Sequence, residues 1–131
     1  MIANSRSLCA ARVGKSSLTL KFCLNEFNEG QESTVDATFQ EKTVTLDSNI
    51  KARLTIWDTA GQERYHALNA NYYRHSKGAV IVYDVTDKDS FEKVRMWHTE
   101  LTKYLERGTP IIIAGNKCDI VSRSVDETEA D

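Results

Sequence analysis

The sequence of 131 residues carries one proline and six glycines, too little turn punctuation for a many-turned all-β protein. Its three cysteines, Cys9, Cys23 and Cys118, are odd in number and lack the paired spacings of a zinc site or a secreted disulfide framework. A reducing, cytoplasmic setting is therefore expected. There is no surplus of positive charge: the formal net charge is -2, without the field that sequence-blind phosphate-backbone binding requires, which excludes nucleic acid as an expected partner. Long apolar runs are also missing. The longest, around Gly78–Tyr83 and Pro110–Gly115, fall far short of the ~20 residues that cross a bilayer. The opening MIANSRSLCAARVGKSSL is basic and free of acids, but has no sustained apolar segment for a secretory signal, and reads as ordinary sequence. What is present, 40% hydrophobic and 27% charged residues, describes a single globular domain over residues 1–131 with an α/β layout.

Periodicity places the elements. Gly14 to Asn25 reads as a short helix with Leu18, Phe22 and Cys23 at helical spacing. Glu26 to Asp36 is polar loop. Thr38–Leu46 and Lys51–Trp57 alternate as strands, with Leu54 and Ile56 on one face and Arg53 and Thr55 on the other, and Asp47, Ser48 and Asn49 form the turn of a hairpin. Tyr65 to Arg74 is a weak helix. The continuous apolar runs Gly78–Val85 and Pro110–Gly115 read as parallel strands covered on both faces. Between them Asp89 is placed to cap a helix with Glu92 reaching back, Phe91, Val94, Trp97, Leu101, Tyr104 and Leu105 form its inward stripe, and Gly108 ends it. Strand, helix, strand in that order is a right-handed βαβ unit.

Three short strings carry chemistry. Arg12-Val13-Gly14-Lys15-Ser16 opens the first helix and puts Lys15 where backbone amides and the positive helix end converge on an anion. The full phosphate-loop motif asks for a glycine five residues before Gly14, and Cys9 stands there. Alone, three residues at a helix start carry little information. At Trp57-Asp58-Thr59-Ala60-Gly61-Gln62, an acid ending a strand can hold Mg²⁺ through water, Gly61 can bring its amide to a terminal phosphate, and Gln62 can orient a water. Asp58 alone serves equally well as a helix cap. Asn116-Lys117-Cys118-Asp119 follows the second buried strand, at the carboxyl end where doubly wound sheets bind ligands. A carboxylate there can accept from the ring N–H and exocyclic amine of guanine, neither of which adenine offers in that place, and such a site rejects the wrong base by ~10⁴ or more. Lys117 can lay its apolar stem along the base, with Phe27 on the other side. Taken singly, these residues default to surface turn and core packing.

All three strings in this order resemble a small GTPase. WDTAGQERYHALNANYYR followed by GAVIVYDVTDKDSFEKVRMW is similar to the Rab branch, and QESTVDATF to the switch segment of its endosomal members. The resemblance implies a P-loop NTPase fold, doubly wound around a mostly parallel sheet, binding GTP or GDP with Mg²⁺. Arg12, Val13, Gly14, Lys15, Ser16 and Ser17 would form the phosphate loop, with Lys15 on the outer phosphates. Ser16, Thr34 and Asp58 would hold Mg²⁺. Phe27, Asn116, Lys117 and Asp119 would hold the base. Gln62 would position the attacking water, and Lys15, Thr34 and Gly61 would serve the same transfer. Phe39, Trp57 and Tyr72 would form the aromatic triad that Rab effectors read, with an exchange factor and a GTPase-activating protein as further partners. Intrinsic turnover would be slow, on the order of 10⁻⁴ per second as in Ras. The family's setting is vesicle traffic at the cytosolic face of endosomes.

The chain departs from that pattern in four respects. Cys9 replaces the turn glycine, and a non-glycine residue forced into a strained backbone region costs ~1 to 3 kcal/mol. Asn4, Ser5, Arg6 and Ser7 are poor occupants of a central strand expected over Met1 to Leu8. The chain stops at Asp131, where family members continue through a further strand, an alanine-containing guanine loop and a last helix, so an incomplete domain is expected. A C-terminal cysteine for prenyl attachment is also missing, so membrane attachment is expected only through a tail that these residues do not contain. A truncated, non-catalytic remnant that binds nucleotide weakly or not at all is therefore the alternative. A different phosphate-loop enzyme, such as a nucleotide kinase, would need an acceptor site and lid arginines that the sequence does not offer. His66, His75 and His98 lack ligand spacing and read as surface or packing residues.

Overall fold

The computed structural model describes the main chain of residues 2–8 together with residues 12–32, 38–47, 50–59, 73 and 75–125. In chain order these form β1 (Ile2–Leu8), α1 (Lys15–Leu24), β2 (Thr38–Thr45), β3 (Lys51–Asp58), β4 (Gly78–Asp84), α2 (Lys88–Thr102) and β5 (Ile111–Asn116). The strands make one sheet in the order β2-β3-β1-β4-β5, with β2 antiparallel to β3 and the other pairs parallel. The expected mostly parallel α/β sheet is thus present. β1 is central despite its polar residues, pairing Ile2 with Arg53 through Ser7 with Asp58 on one side, and Ser5 with Gly78 through Leu8 with Ile81 on the other.

The hairpin forms where alternation placed it, and Leu46 N donates to Ile50 O at 2.9 Å across its mouth. Ser48 and Asn49 of its turn lie outside the described residues. So does the expected helix over Tyr65 to Arg74, apart from Tyr73, and so does His66. His75 and His98 are exposed.

The core lies between β4 and α2. Ile81 and Val82 of β4 are almost wholly buried, and Val94, Trp97 and Leu101 of α2 belong to the same buried cluster, with Phe91, Tyr104 and Leu105 partly buried against it. The predicted inward stripe is therefore the observed one. At ~1.5 to 3 kcal/mol for each fully buried aliphatic or aromatic side chain, this layer fixes the position of the β4 carboxyl end.

Three local expectations are corrected. The cap of α2 is Asp87, not Asp89: Asp87 has the extended backbone a cap requires, and its carboxylate accepts from Asp89 N and Ser90 N. Asp89 sits in the first turn, where its charge complements the helix's positive end. The helix stops at Thr102, and Gly108 takes its left-handed conformation (φ 88°) later, in the turn before β5. The third correction concerns β5. It is the outermost strand of the described sheet, and Ile112 and Ile113 are exposed by 61% and 52%, so only β4 of the two apolar strands is covered on both faces. On α1, Leu18 and Phe22 are exposed while Lys15 and Thr19 are buried.

Candidate functional site

Parallel strands point their carboxyl ends to one side, and the loops that follow them meet there. The loop after β1 supplies Arg12 and Gly14, the start of α1 Lys15, Ser16 and Ser17, the end of β3 is followed by Thr59, and the end of β5 by Lys117, Asp119 and Ile120. All of these line one cleft of about 820 Å³, closed on another side by Phe27 to Glu32. The volume lies in the range of small-molecule and cofactor sites.

At one end of the cleft the main chain does most of the shaping. Arg12 and Gly14 both have positive φ, 65° and 92°, which curls the loop onto the start of α1. Gly14 supplies no side-chain cap, and the first turn of α1 holds no acid, so the helix's positive end is not neutralised from within the helix. Lys15 is buried to 5% exposure at this point and adds its ammonium. Arg12 is exposed at the rim. Gly14 is required twice over: its φ strains any other residue, and a Cβ there would lie 2.3 Å from Asn116 Nδ2.

Beside this loop, Ser16 Oγ donates to Asp58 Oδ2, and Asp58 is 3% exposed. A hydroxyl and a carboxylate brought to one point are hard oxygen donors of the type Mg²⁺ takes together with phosphate oxygens, so the residues present fit that ion. Among the described residues no group of three or more His, Cys, Asp or Glu could hold a metal. An ion here would depend on oxygens from a bound ligand as well.

At the other end, side chains do the holding. Asn116 Nδ2 donates to Val13 O at 2.8 Å, tying the end of β5 to the loop after β1. Lys117, at φ 64°, forms an ion pair with Asp84 at 2.5 Å. Asp119 and Phe27 border the same space, Phe27 with 66% of its surface exposed. The cleft therefore has a cationic, amide-rich end and an end carrying a carboxylate and an aromatic ring.

The structure thus gathers Arg12, Gly14, Lys15, Ser16, Ser17, Phe27, Asn116, Lys117 and Asp119 along the cleft. Val13 is buried beneath it and Asp58 reaches it through Ser16. Cys9, Thr34, Gly61, Gln62 and Tyr72 lie outside the described residues. Of the aromatic triad, Phe39 and Trp57 meet across the β2–β3 pair with ring centroids 5.2 Å apart, away from the cleft lining.

Asp84 is a residue that the sequence reading does not single out, although an acid at the end of an apolar run is itself a signal. For Asn116, which the sequence reading does name, the structure adds that its amide links the two ends of the cleft.

Comparison with known proteins agrees with this geometry. The Ras family pattern matches residues 8–131. The chain is 50% identical over 119 residues to the Ras-related protein Rab-21 of Geodia cydonium, covering 90% of this chain and 52% of that protein. It is 47% identical over 121 residues to Rab-21 of Mus musculus, covering 90% and 54%. It is 44% identical over 121 residues to the GTP-binding protein ypt5 of Schizosaccharomyces pombe, covering 91% and 57%. The chain spans about half the length of the curated relatives it matches.

Proposed function

The chain belongs to the Ras family, and from that premise we propose that it is a Rab-type switch that binds GTP and GDP with Mg²⁺ and hydrolyses GTP slowly. The observation that carries this reading is the convergence on one cleft of Lys15, the Ser16–Asp58 pair and the Asn116–Asp119 loop.

The polyphosphate lies at the N-terminal end of α1, where the curled loop and Lys15 receive its charge. Mg²⁺, when bound, neutralises negative charge on the phosphate oxygens, and Ser16, Thr34 and Asp58 are the residues that would hold it. At the far end, the Asp119 carboxylate accepts from guanine's ring N–H and amine, while Phe27 and the stem of Lys117 flank the base. Gln62 orients the attacking water and Gly61 turns its amide to the terminal phosphate, roles supported by the string WDTAGQ that holds them. With so much of the chemistry being positioning, intrinsic turnover is on the order of 10⁻⁴ per second, and a GTPase-activating protein must raise it.

Loss of the terminal phosphate then changes the surface around Thr34 and Gly61, an order-to-disorder switch read by effectors through Phe39, Trp57 and Tyr72. The exposure of Phe39 and its packing on Trp57 support that surface. The likeness to Rab-21 supports a role in endosomal vesicle traffic, with an exchange factor reloading GTP. Among the described residues no helix is long and apolar enough to cross a membrane.

The test is titration of fluorescent GDP into the purified chain with Mg²⁺, followed by displacement with unlabelled nucleotides. GDP and GTP should displace it and ATP should not. A folded chain that binds no GDP, or from which ATP displaces the probe as well as GTP does, would overturn the reading.

A further inference from the structure

Asp84 ends β4 in a run that is otherwise apolar, and its side chain is only 8% exposed. A carboxylate is kept in such a place only if its oxygens are satisfied. Both are. Oδ2 pairs with Lys117 Nζ at 2.5 Å, and Oδ1 accepts from Thr86 N at 2.9 Å and Thr86 Oγ1 at 2.7 Å. Burial pushes the Asp84 carboxyl up, but the bonds from Lys117 and Thr86 outweigh it and hold the group below its ordinary value.

The turn that carries this carboxylate is itself anchored. Asp84 N donates to Ser90 Oγ at 3.0 Å, which fastens it to the first turn of α2. Val85 O accepts from Ser124 N and Val125 N, and Thr86 O from Ser124 Oγ at 2.9 Å, so the segment following the Asn116–Asp119 loop folds back onto the same turn. A fixed anion thus faces a lysine that lines the cleft, on a residue whose backbone is already in the left-handed region.

We infer that Asp84 is a positioning residue for the base end of the cleft: clamped by Thr86, it holds the Lys117 ammonium so that the lysine stem is set in place before a base arrives. This rests on the nucleotide reading above. Pre-setting a flexible side chain removes the cost of ordering it on binding, so the effect belongs to affinity rather than to the choice of base, which is the task of Asp119.

The experiment is titration of fluorescent GDP with Mg²⁺ into the wild-type chain, Asp84→Asn, Lys117→Met and the double variant, with inosine diphosphate, which lacks the exocyclic amine, as competitor. Asn keeps the shape and an acceptor for Thr86 but not the charge. Asp84→Asn should weaken GDP binding roughly ten-fold, within the range for residues coupled by contact, and the double variant should bind no more weakly than Lys117→Met alone. The preference for GDP over inosine diphosphate should not change. Wild-type affinity in Asp84→Asn, the same loss repeated in full on the Lys117→Met background, or a fall in that preference would overturn the inference. If Asp84→Asn does not fold, Thr86→Val removes only the hydroxyl bond and makes the same comparison, with an expected loss of about two-fold that vanishes on the Lys117→Met background. Absence of GDP binding by the wild-type chain would instead end the nucleotide reading, and this inference with it.

Discussion

At the phosphate end of the cleft the shape comes from the main chain: two positive φ angles, an uncapped helix start, and one buried lysine. At the base end it comes from side chains that bond one another, Asn116 to Val13 O and Lys117 to Asp84, around a loop that carries Asp119. The difference sets what can be exchanged at each place. A phosphate is recognised by any well-aimed set of amides and a cation, so conformation matters most there. A base is recognised by the pattern of its donors and acceptors, so the identity of individual atoms matters most.

The sharpest way to break this division is at Asp119. Asp119→Ala removes the acceptor pair that distinguishes guanine from adenine, and the preference for GDP over ADP should fall by up to ~10⁴, with the phosphate end untouched. Competition of both nucleotides against a fluorescent analogue measures it. Preserved preference would mean that the base end does not read the base through this residue.

Lys15→Ala should act in the opposite manner. It removes the ammonium at the start of α1 and should weaken GDP and ADP alike, by roughly 10² to 10³, as expected for truncating one partner of a buried charge pair. The two variants together test the comparison itself: a selective loss at one end and a uniform loss at the other. A selective loss in Lys15→Ala would contradict it.

Gly14→Ala lies where the two ends touch. The added Cβ would meet Asn116 Nδ2, and the residue's φ of 92° is strained for alanine. The expected cost is about 1 to 3 kcal/mol, seen as a lower melting temperature and as GDP binding weakened some ten-fold. Gly14→Ala combined with Asn116→Ala should lower the melting temperature by less than the two single losses added together, because the clash partner is gone while the φ strain remains.

The same contrast explains what could be read from the sequence. Local patterns were legible: the glycine-lysine-serine at a helix start, the alternation of β2 and β3, and the helical stripe of α2 all depend on neighbours in sequence. Placement in the sheet was not. Ile111 to Ile113 are as apolar as Ile81 and Val82, yet one strand is outermost and the other central to the core, since an apolar run records composition and not which strands flank it. Asp89 is the cap that the spacing to Glu92 indicates, but the extended backbone belongs to Asp87, and Asp87 is the cap. The role of Asp84 was hidden for a further reason, since its partner Lys117 is brought to it only by the pairing of β4 with β5.

That pairing also predicts the smallest effect, in the dependence of stability on pH. The Asp84 carboxyl lies below its ordinary value of 3.8 in the folded chain, burial raising it and the bonds from Lys117 and Thr86 lowering it by more. A group with a depressed folded value binds fewer protons folded than unfolded, so its contribution to stability is fully present above the unfolded value. It is lost as pH falls through the folded one. Melting temperature should therefore decline on acidification from about pH 5 downward, and Asp84→Asn should lack this part of the decline, since it has no proton to take up. Lys117→Met should show it reduced but present, because Thr86 still donates to the carboxylate by two bonds. If Lys117→Met and wild type decline in parallel, the lysine contributes nothing to holding the acid. The base end would then depend on the Thr86 turn, a main-chain device like the one at the phosphate end.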